Sequence, residues 1–319
     1  GEATNGEPLT RLLGQGGLQF SLPMVRVDPT IESSLLNMRG LAHKVDWVAE
    51  YWYADSSANQ EEIPYYDELD DNAQEQARRR FIGYTFGGVL PPEFDPRSYA
   101  FRQGIQRRVT SPSDVVADDL QQLRLGVHQR FQTKRGLPGR ERIVDVVQFD
   151  LDTILFPNGD RDNFGETVGP TTYDFRYHLG DRYSILSDGY FDFFDSGLQS
   201  LSAGIRTSRP GVSDSYIGIL AIEGPVSSTV LRTNYDFRLN EKWIFSGGTA
   251  YDFGRTGNIG QYYGLTRIGE SMLVRLNLNV DSGRDNVGFG FLIEPRFFAR
   301  NLGRIGGGLI PPPGIEGLE

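Results

Sequence analysis

No cysteine occurs among the 319 residues, so disulfide frameworks, thiol catalysis and cysteine-based zinc sites are all excluded. Histidine is almost as scarce. The three present, His43, His128 and His178, stand in separate segments, and no serine or acid is marked beside them as a nucleophile by a turn motif. An excess of basic charge is also missing: 32 Lys and Arg against 42 Asp and Glu leave a net charge of -10, which argues against nucleic acid as a partner. Nor is there an apolar run of about 20 residues, the length a membrane-spanning helix requires. A transmembrane β-barrel survives that test, because only alternate residues of each strand meet lipid.

Motifs for cofactors are absent too. "GQGG" and "GGG" lack the lysine-bearing pattern of a phosphate loop. The stretch Asn158 to Glu166 offers Asp160, Asp162, Asn163 and Glu166 as oxygen ligands but not the spacing of an EF-hand, so it reads as a solvated turn. No catalytic residue, metal or cofactor is expected. The opening "GEATNGEPLT" lacks the basic start and apolar core of a secretion signal, so an exported protein would be a processed product or a piece of a longer chain.

What the chain has in quantity is 20 Phe, 15 Tyr and 39 Gly, a mixture suited to strands joined by many turns. Arg39 to Ala54 alternates cleanly, with Leu41, Val45, Trp47, Ala49, Tyr51 and Tyr53 on one face and Lys44, Asp46 and Glu50 on the other. Further strands are predicted at Ser98 to Arg108, Gln122 to Gln132, Glu141 to Leu155, Thr171 to Leu179, Tyr183 to Phe194 and Gln199 to Ser208. The series continues with Tyr216 to Glu223, Ser227 to Leu239, Trp243 to Phe253, Met272 to Val280 and Asn286 to Arg296. Short helices are predicted at Tyr65 to Phe81, which is acidic at its start and basic at its end, and within Ser111 to Leu123. Residues 39–298 therefore form the main unit, with loop insertions at 55–97 and 110–121. Residues 1–38 are an irregular lead-in or a first strand, and residues 299–319 a Gly and Pro rich tail.

Two hairpins show the pattern in detail. "YDFRYHLGDRYSILSDGYFDFF" places Tyr173, Phe175, Tyr177, Phe191 and Phe193 on one face, with Asp174, Arg176 and His178 on the other. "YDFRLNEKWIFSGGTAYDFG" repeats this, with Tyr235, Phe237, Trp243, Phe245 and Tyr251 opposite Asp236 and Arg238. A soluble β-sandwich would hide such an oily face under a second sheet. About a dozen such strands, several of roughly nine to eleven residues, instead fit a bilayer crossing, where a charge facing lipid costs about 2 to 4 kcal/mol at mid-depth. The expected fold is all-β, an antiparallel up-and-down transmembrane β-barrel, complete or partial, with about 12 to 15 strands in this chain.

In that barrel Arg124, His128, Asp150, Asp152, Asp174, Arg176, Arg232, Asp236, Arg238 and Arg275 face the lumen, and the ten aromatic residues of the two hairpins face lipid. Loop lengths put "LGDR" and "LNEK" on the periplasmic side, with "TKRGLPGRER" and "FPNGDRDNFGETVGP" outside.

The segments "RGLAHKVDWVAEYWYAD", "LRLGVHQRFQTKRG", "YDFRYHLGDRYSILSDGYFDFF" and "IGQYYGLTRIGESMLVRLNLNVDSGRDNVGFGFLIEPRF" resemble the C-terminal barrel of the LptD family, lipopolysaccharide-assembly outer-membrane proteins also called organic solvent tolerance proteins. The resemblance implies lipopolysaccharide transport and insertion into the outer leaflet of the bacterial cell outer membrane. It also implies contact with outer-membrane lipid, a plug lipoprotein and periplasmic bridge proteins, with Arg124, Arg176, Arg238 and Arg275 as candidates for touching phosphates. Against that family the chain lacks a recognisable jellyroll domain and has about half the strands, so a fragment of a larger barrel is expected. A general porin or solute channel is the alternative, and an outer-membrane hydrolase built on the histidines a weaker one.

Overall fold

The computed structural model describes residues 6–63, 82–88, 91–104, 118–137, 139–195, 197–224, 227–254, 257–282 and 285–295. Thirteen strands follow one another in a single antiparallel sheet whose spatial order is the order of the chain. They are β1 (Leu13–Ser33), β2 (Met38–Ser56), β3 (Leu120–Arg135), β4 (Arg142–Leu155), β5 (Val168–Leu179), β6 (Tyr183–Phe191) and β7 (Gln199–Arg209). After these come β8 (Ser213–Glu223), β9 (Ser228–Asn240), β10 (Trp243–Asp252), β11 (Gly257–Ile268), β12 (Met272–Asp281) and β13 (Asn286–Pro295). Neighbours in sequence are neighbours in space, the up-and-down meander of the outer-membrane barrel class.

Two strands escape the alternation rule. In β1, Pro23 and Pro29 interrupt the pattern, and proline is tolerated because β1 is an edge strand with β2 as its partner. In β11, Gly257, Gly260 and Gly264 dilute the pattern, yet the strand pairs on both sides with β10 and β12. Pro170, also inside a strand, sits where the β4 and β5 register shifts, the kind of bulge that accommodates a residue with no N–H.

The sheet is bent at its turn end. Asn37, in the turn between β1 and β2, donates to Asp181, in the turn between β5 and β6, at 3.0 Å. Three strand spacings, about 14 Å on a flat sheet, separate β2 from β5. Arg135 closes the bend: its guanidinium donates to the carbonyls of Leu36, Asn37 and Gly180 and meets Asp181 at 3.0 Å. Edge strands β1 and β13 run in the same direction, since an even number of reversals separates them.

Several expectations are corrected. The strand expected at Ser98 to Arg108 is not found over its described part, Ser98 to Gly104: Pro96–Arg102 is a helix, α1, opened by a proline that suits a first helical turn. Residues 105–108 lie outside the described residues, as do Tyr65 to Phe81, residues 111–117 and the tail 299–319. β3 begins at Leu120, two residues before the strand expected from Gln122, so the end of the segment expected to hold a short helix is extended. "TKRGLPGRER" and "FPNGDRDNFGETVGP" cannot share one side, because the single strand β4 joins them. The first lies at the turn end with "LGDR" and "LNEK", and the second at the opposite, loop end.

Candidate functional site

Cross-strand pairing keeps opposed residues on the same face of a sheet, so register decides which charges become neighbours. On the polar face Asp46, His128, Asp150, Asp174 and Asp188 form one row across β2 to β6. Adjacent carboxylates repel, and cations from neighbouring rows answer them. Arg130 forks onto Asp150 at 2.5 and 2.8 Å. Arg176 reaches Asp174 at 2.9 and 3.0 Å. Arg124 donates to Asp152 at 2.9 Å, and His128 Nε2 lies 3.1 Å from the other oxygen of that carboxylate. Such forked contacts fix geometry, but pairs open to water contribute about 1 kcal/mol or less each. Their larger effect is the field they set along the inner wall.

The second half of the sheet is less crowded. Arg206 pairs with Asp214 at 2.6 Å, and the Ser246 hydroxyl donates to Asp236 at 2.5 Å. Arg238 caps the turn between β9 and β10 by donating to the carbonyls of Asn240 and Glu241 at 3.3 Å. Arg275 is buried against Glu294 at 2.6 Å. Among the described residues Arg232 has no such carboxylate partner. Thus Arg124, Arg176, Arg238 and Arg275, the cations expected to meet phosphate, are all engaged, and of the arginines expected to face the lumen Arg232 alone has neither an ion pair nor a hydrogen-bonded carbonyl among the described residues.

The opposite face carries the expected aromatics. Tyr173 stacks on Phe191 with centroids 6.2 Å apart, Phe149 meets Phe175 edge-on at 6.4 Å, and Tyr235 tilts against Phe245 at 5.8 Å. Gly189 leaves room for Tyr173 to lie flat, since a Cβ there would come within 2.4 Å of the ring. Tyr177, Phe237 and Tyr251 take the same face opposite Ile185, Phe245 and Leu231. Trp243, at the turn end, holds the Arg267 guanidinium 5.8 Å from its ring. Phe193 departs from the expectation: β6 stops at Phe191, so Phe193 belongs to the connection after it.

The histidines do not converge. His43 lies on the apolar face, stacked on Phe131 at 4.1 Å. His128 serves Asp152, and His178 Nδ1 is 2.8 Å from the Ser184 hydroxyl.

A polar centre that alternation did not reveal occupies the loop end. Arg102, the last residue of α1, is 1% exposed and donates to both oxygens of Asp192 at 2.5 and 2.8 Å and to Asn163 at 2.7 Å. Its guanidinium stands 4.9 Å from the Phe194 ring and 5.1 Å from that of Phe164. Below it Phe101 joins Ala54, Leu120, Ile154 and Phe156 in the buried apolar cluster. Asn158 to Glu166, expected to be a solvated turn, is part of this junction: Gly159–Asp162 forms a short helix, α2, and Asp162 is buried, accepting from Arg161 at 2.7 Å. Asp192, a lone charge inside "YFDFF", was the visible sign of such a contact.

Sheet topology and the two opposed faces define the class as an up-and-down sheet of the outer-membrane β-barrel type. No protein-family model and no curated protein matches the chain. Among solved structures it is similar to a mutant porin of Rh. blastica, with 7% identity over 89% of this chain and 100% of that one and a TM-score of 0.34. It is also similar to OmpF of Salmonella typhi, solved in complex with daunomycin, with 11% identity over 84% of this chain and 89% of that one and a TM-score of 0.29. Likeness at this level concerns the succession of antiparallel strands and nothing finer.

Proposed function

We propose that the chain forms the wall of a bacterial outer-membrane channel for small polar solutes. One observation carries this reading: a single-layer sheet exposes an apolar face across its whole width while the other face is charged. Leu18, Phe20, Trp47, Ile205, Ile217, Ile219, Phe289 and Phe291 are all exposed on the apolar side. No second layer covers them among the described residues. Patches far smaller than this mark interaction surfaces in soluble proteins, and left in water such area costs about 25 cal/mol per Å². Hydrocarbon removes that cost. Every strand is long enough, from 9 residues in β6 to 21 in β1, against the roughly nine to eleven that a tilted strand needs to cross.

The lipopolysaccharide reading, with its plug lipoprotein and periplasmic bridge, has less support, because the four arginines it assigns to phosphates are occupied by Asp152, Asp174, Glu294 and turn carbonyls. On the polar face His178 meets the Ser184 hydroxyl and His128 meets Asp152, but among the described residues no hydroxyl, imidazole and carboxylate join in one hydrogen-bonded chain, which favours passage over catalysis.

Reconstitution tests the channel. The chain should require detergent or lipid to stay dispersed and should give stepwise conductance in planar bilayers. A compact monomer in plain buffer would end the membrane reading, and a protein folded in the bilayer that passes no ions would end the channel.

A further inference from the structure

A pocket of about 490 Å³ opens on the polar face between β9 and β12, within the range of about 300 to 1,000 Å³ usual for small-molecule sites. Two adjacent rows build it. Asn234, Gly248, Tyr262 and Asn279 are cross-strand neighbours in the first, and Arg232, Ala250, Gly260 and Asp281 in the second. The floor is made of small residues. At Gly248 this is required, because a Cβ would stand 2.4 Å from the Tyr262 ring and 3.0 Å from the Asn234 amide oxygen. The glycine therefore lets Tyr262 lie across the wall with its ring and hydroxyl open to the pocket.

We propose that this pocket is a subsite for a sugar acid, a saccharide of one or two rings carrying a carboxylate. The inference rests on the polar face being a water-filled wall, and it adds what that wall recognises. Arg232 has no carboxylate partner among the described residues, and a planar guanidinium with that freedom suits a two-point contact to a ligand carboxylate. Asn234 and Asn279 each offer a donor and an acceptor, the pairing that neighbouring hydroxyls need. They stand three strand spacings apart, about 14 Å, with the Tyr262 ring between them to receive the C–H face of a sugar. A bare anion would use Arg232 alone and leave the amides and the ring idle.

Calorimetry on the detergent-solubilised full chain tests this, with D-glucuronate, D-glucose, acetate and inorganic phosphate as probes. Glucuronate should bind at least tenfold tighter than each of the other three. Arg232→Gln should weaken glucuronate at least tenfold and leave glucose within twofold. Tyr262→Ala should weaken both sugars, and Arg206→Gln, at a paired arginine elsewhere on the face, neither. Acetate or phosphate binding as tightly as glucuronate, or glucuronate binding that ignores Arg232→Gln, would overturn the assignment. So would the absence of binding. Conductance measured on the same preparation separates the two readings: current without glucuronate binding removes the subsite alone, and binding without current removes the channel alone.

Discussion

Arg102 and Asp192 lie 90 residues apart in sequence and meet as a forked ion pair whose side chains are 2% and 0% exposed, walled by Phe164 and Phe194. This contact ties the long connection between β2 and β3 to the one between β6 and β7. Removing one partner of a buried pair strands the other charge and typically costs about 3 to 5 kcal/mol, whereas replacing both with apolar residues can be neutral. Asp192→Ala should therefore release α1 and make residues 91–104 more sensitive to protease. Arg102→Met combined with Asp192→Leu should restore resistance. Equal cleavage of Asp192→Ala and the unaltered chain would show that α1 is held by Phe101 and its apolar neighbours alone.

The same junction predicts a response to alkali. The Tyr99 hydroxyl is pushed up to about 12, chiefly by burial and then by the Asp192 charge. A released loop would carry an ordinary tyrosine near 10. Below pH 10 both states keep the proton and the docked loop is at full stability. Between about 10 and 12 the released state ionises first, so docking weakens as pH rises. Protease sensitivity of residues 91–104 should increase from pH 9 to 11, and Tyr99→Phe should reduce that increase.

Inside and outside can be tested by a matched pair of arginines. Ile219 is 46% exposed on the apolar face of β8, and Ser202 faces the polar side from β7. Ile219→Arg should destabilise the bilayer-folded protein by about 2 to 4 kcal/mol, the cost of a lipid-facing charge near mid-depth. Ser202→Arg should change stability far less. Denaturant titration of the protein folded into vesicles reads both, and equal losses would invert or abolish the assigned faces.

The row Asp150, Asp174 and Asp188 gives the inner wall its local sign. Changing all three to Asn leaves Arg130 and Arg176 without their carboxylates, so ion selectivity should move toward anions. The reversal potential across a salt gradient reports this. An unchanged potential would mean that permeant ions do not pass this row.

Much of the sheet was legible because its rule is local. Successive side chains in a strand point to opposite faces, so Tyr173, Phe175 and Tyr177 separate from Asp174 and Arg176 whatever lies around them. Where the rule was diluted, reading failed in a physically consistent way. Glycines hid β11, the prolines of an edge strand left residues 1–38 open between an irregular lead-in and a first strand, and "SYAFR" in Ser98 to Arg102 alternates well enough to imitate a strand although Pro96 starts a helix there.

Site residues divide along the same line. The faces of Arg124, His128, Asp150, Asp152, Asp174, Arg176, Arg232 and Asp236 follow from parity, but their partners do not, since register is a property of two strands together. That is why Arg275 proved to be buried on Glu294 and Arg238 to be capping a turn, and why Arg232 emerged as the open cation.

By itself the amino-acid order determined most of the strands, their two opposed faces and the exclusion of cysteine chemistry, spanning helices and a basic nucleic-acid surface, because each depends on neighbours along the chain. Only the tertiary structure decided the curl fixed by Arg135, the seat of α1 on Asp192 and the pocket over Gly248. These arise where distant segments exclude water from one another, and a period of two along a strand carries no information about which distant segment will arrive.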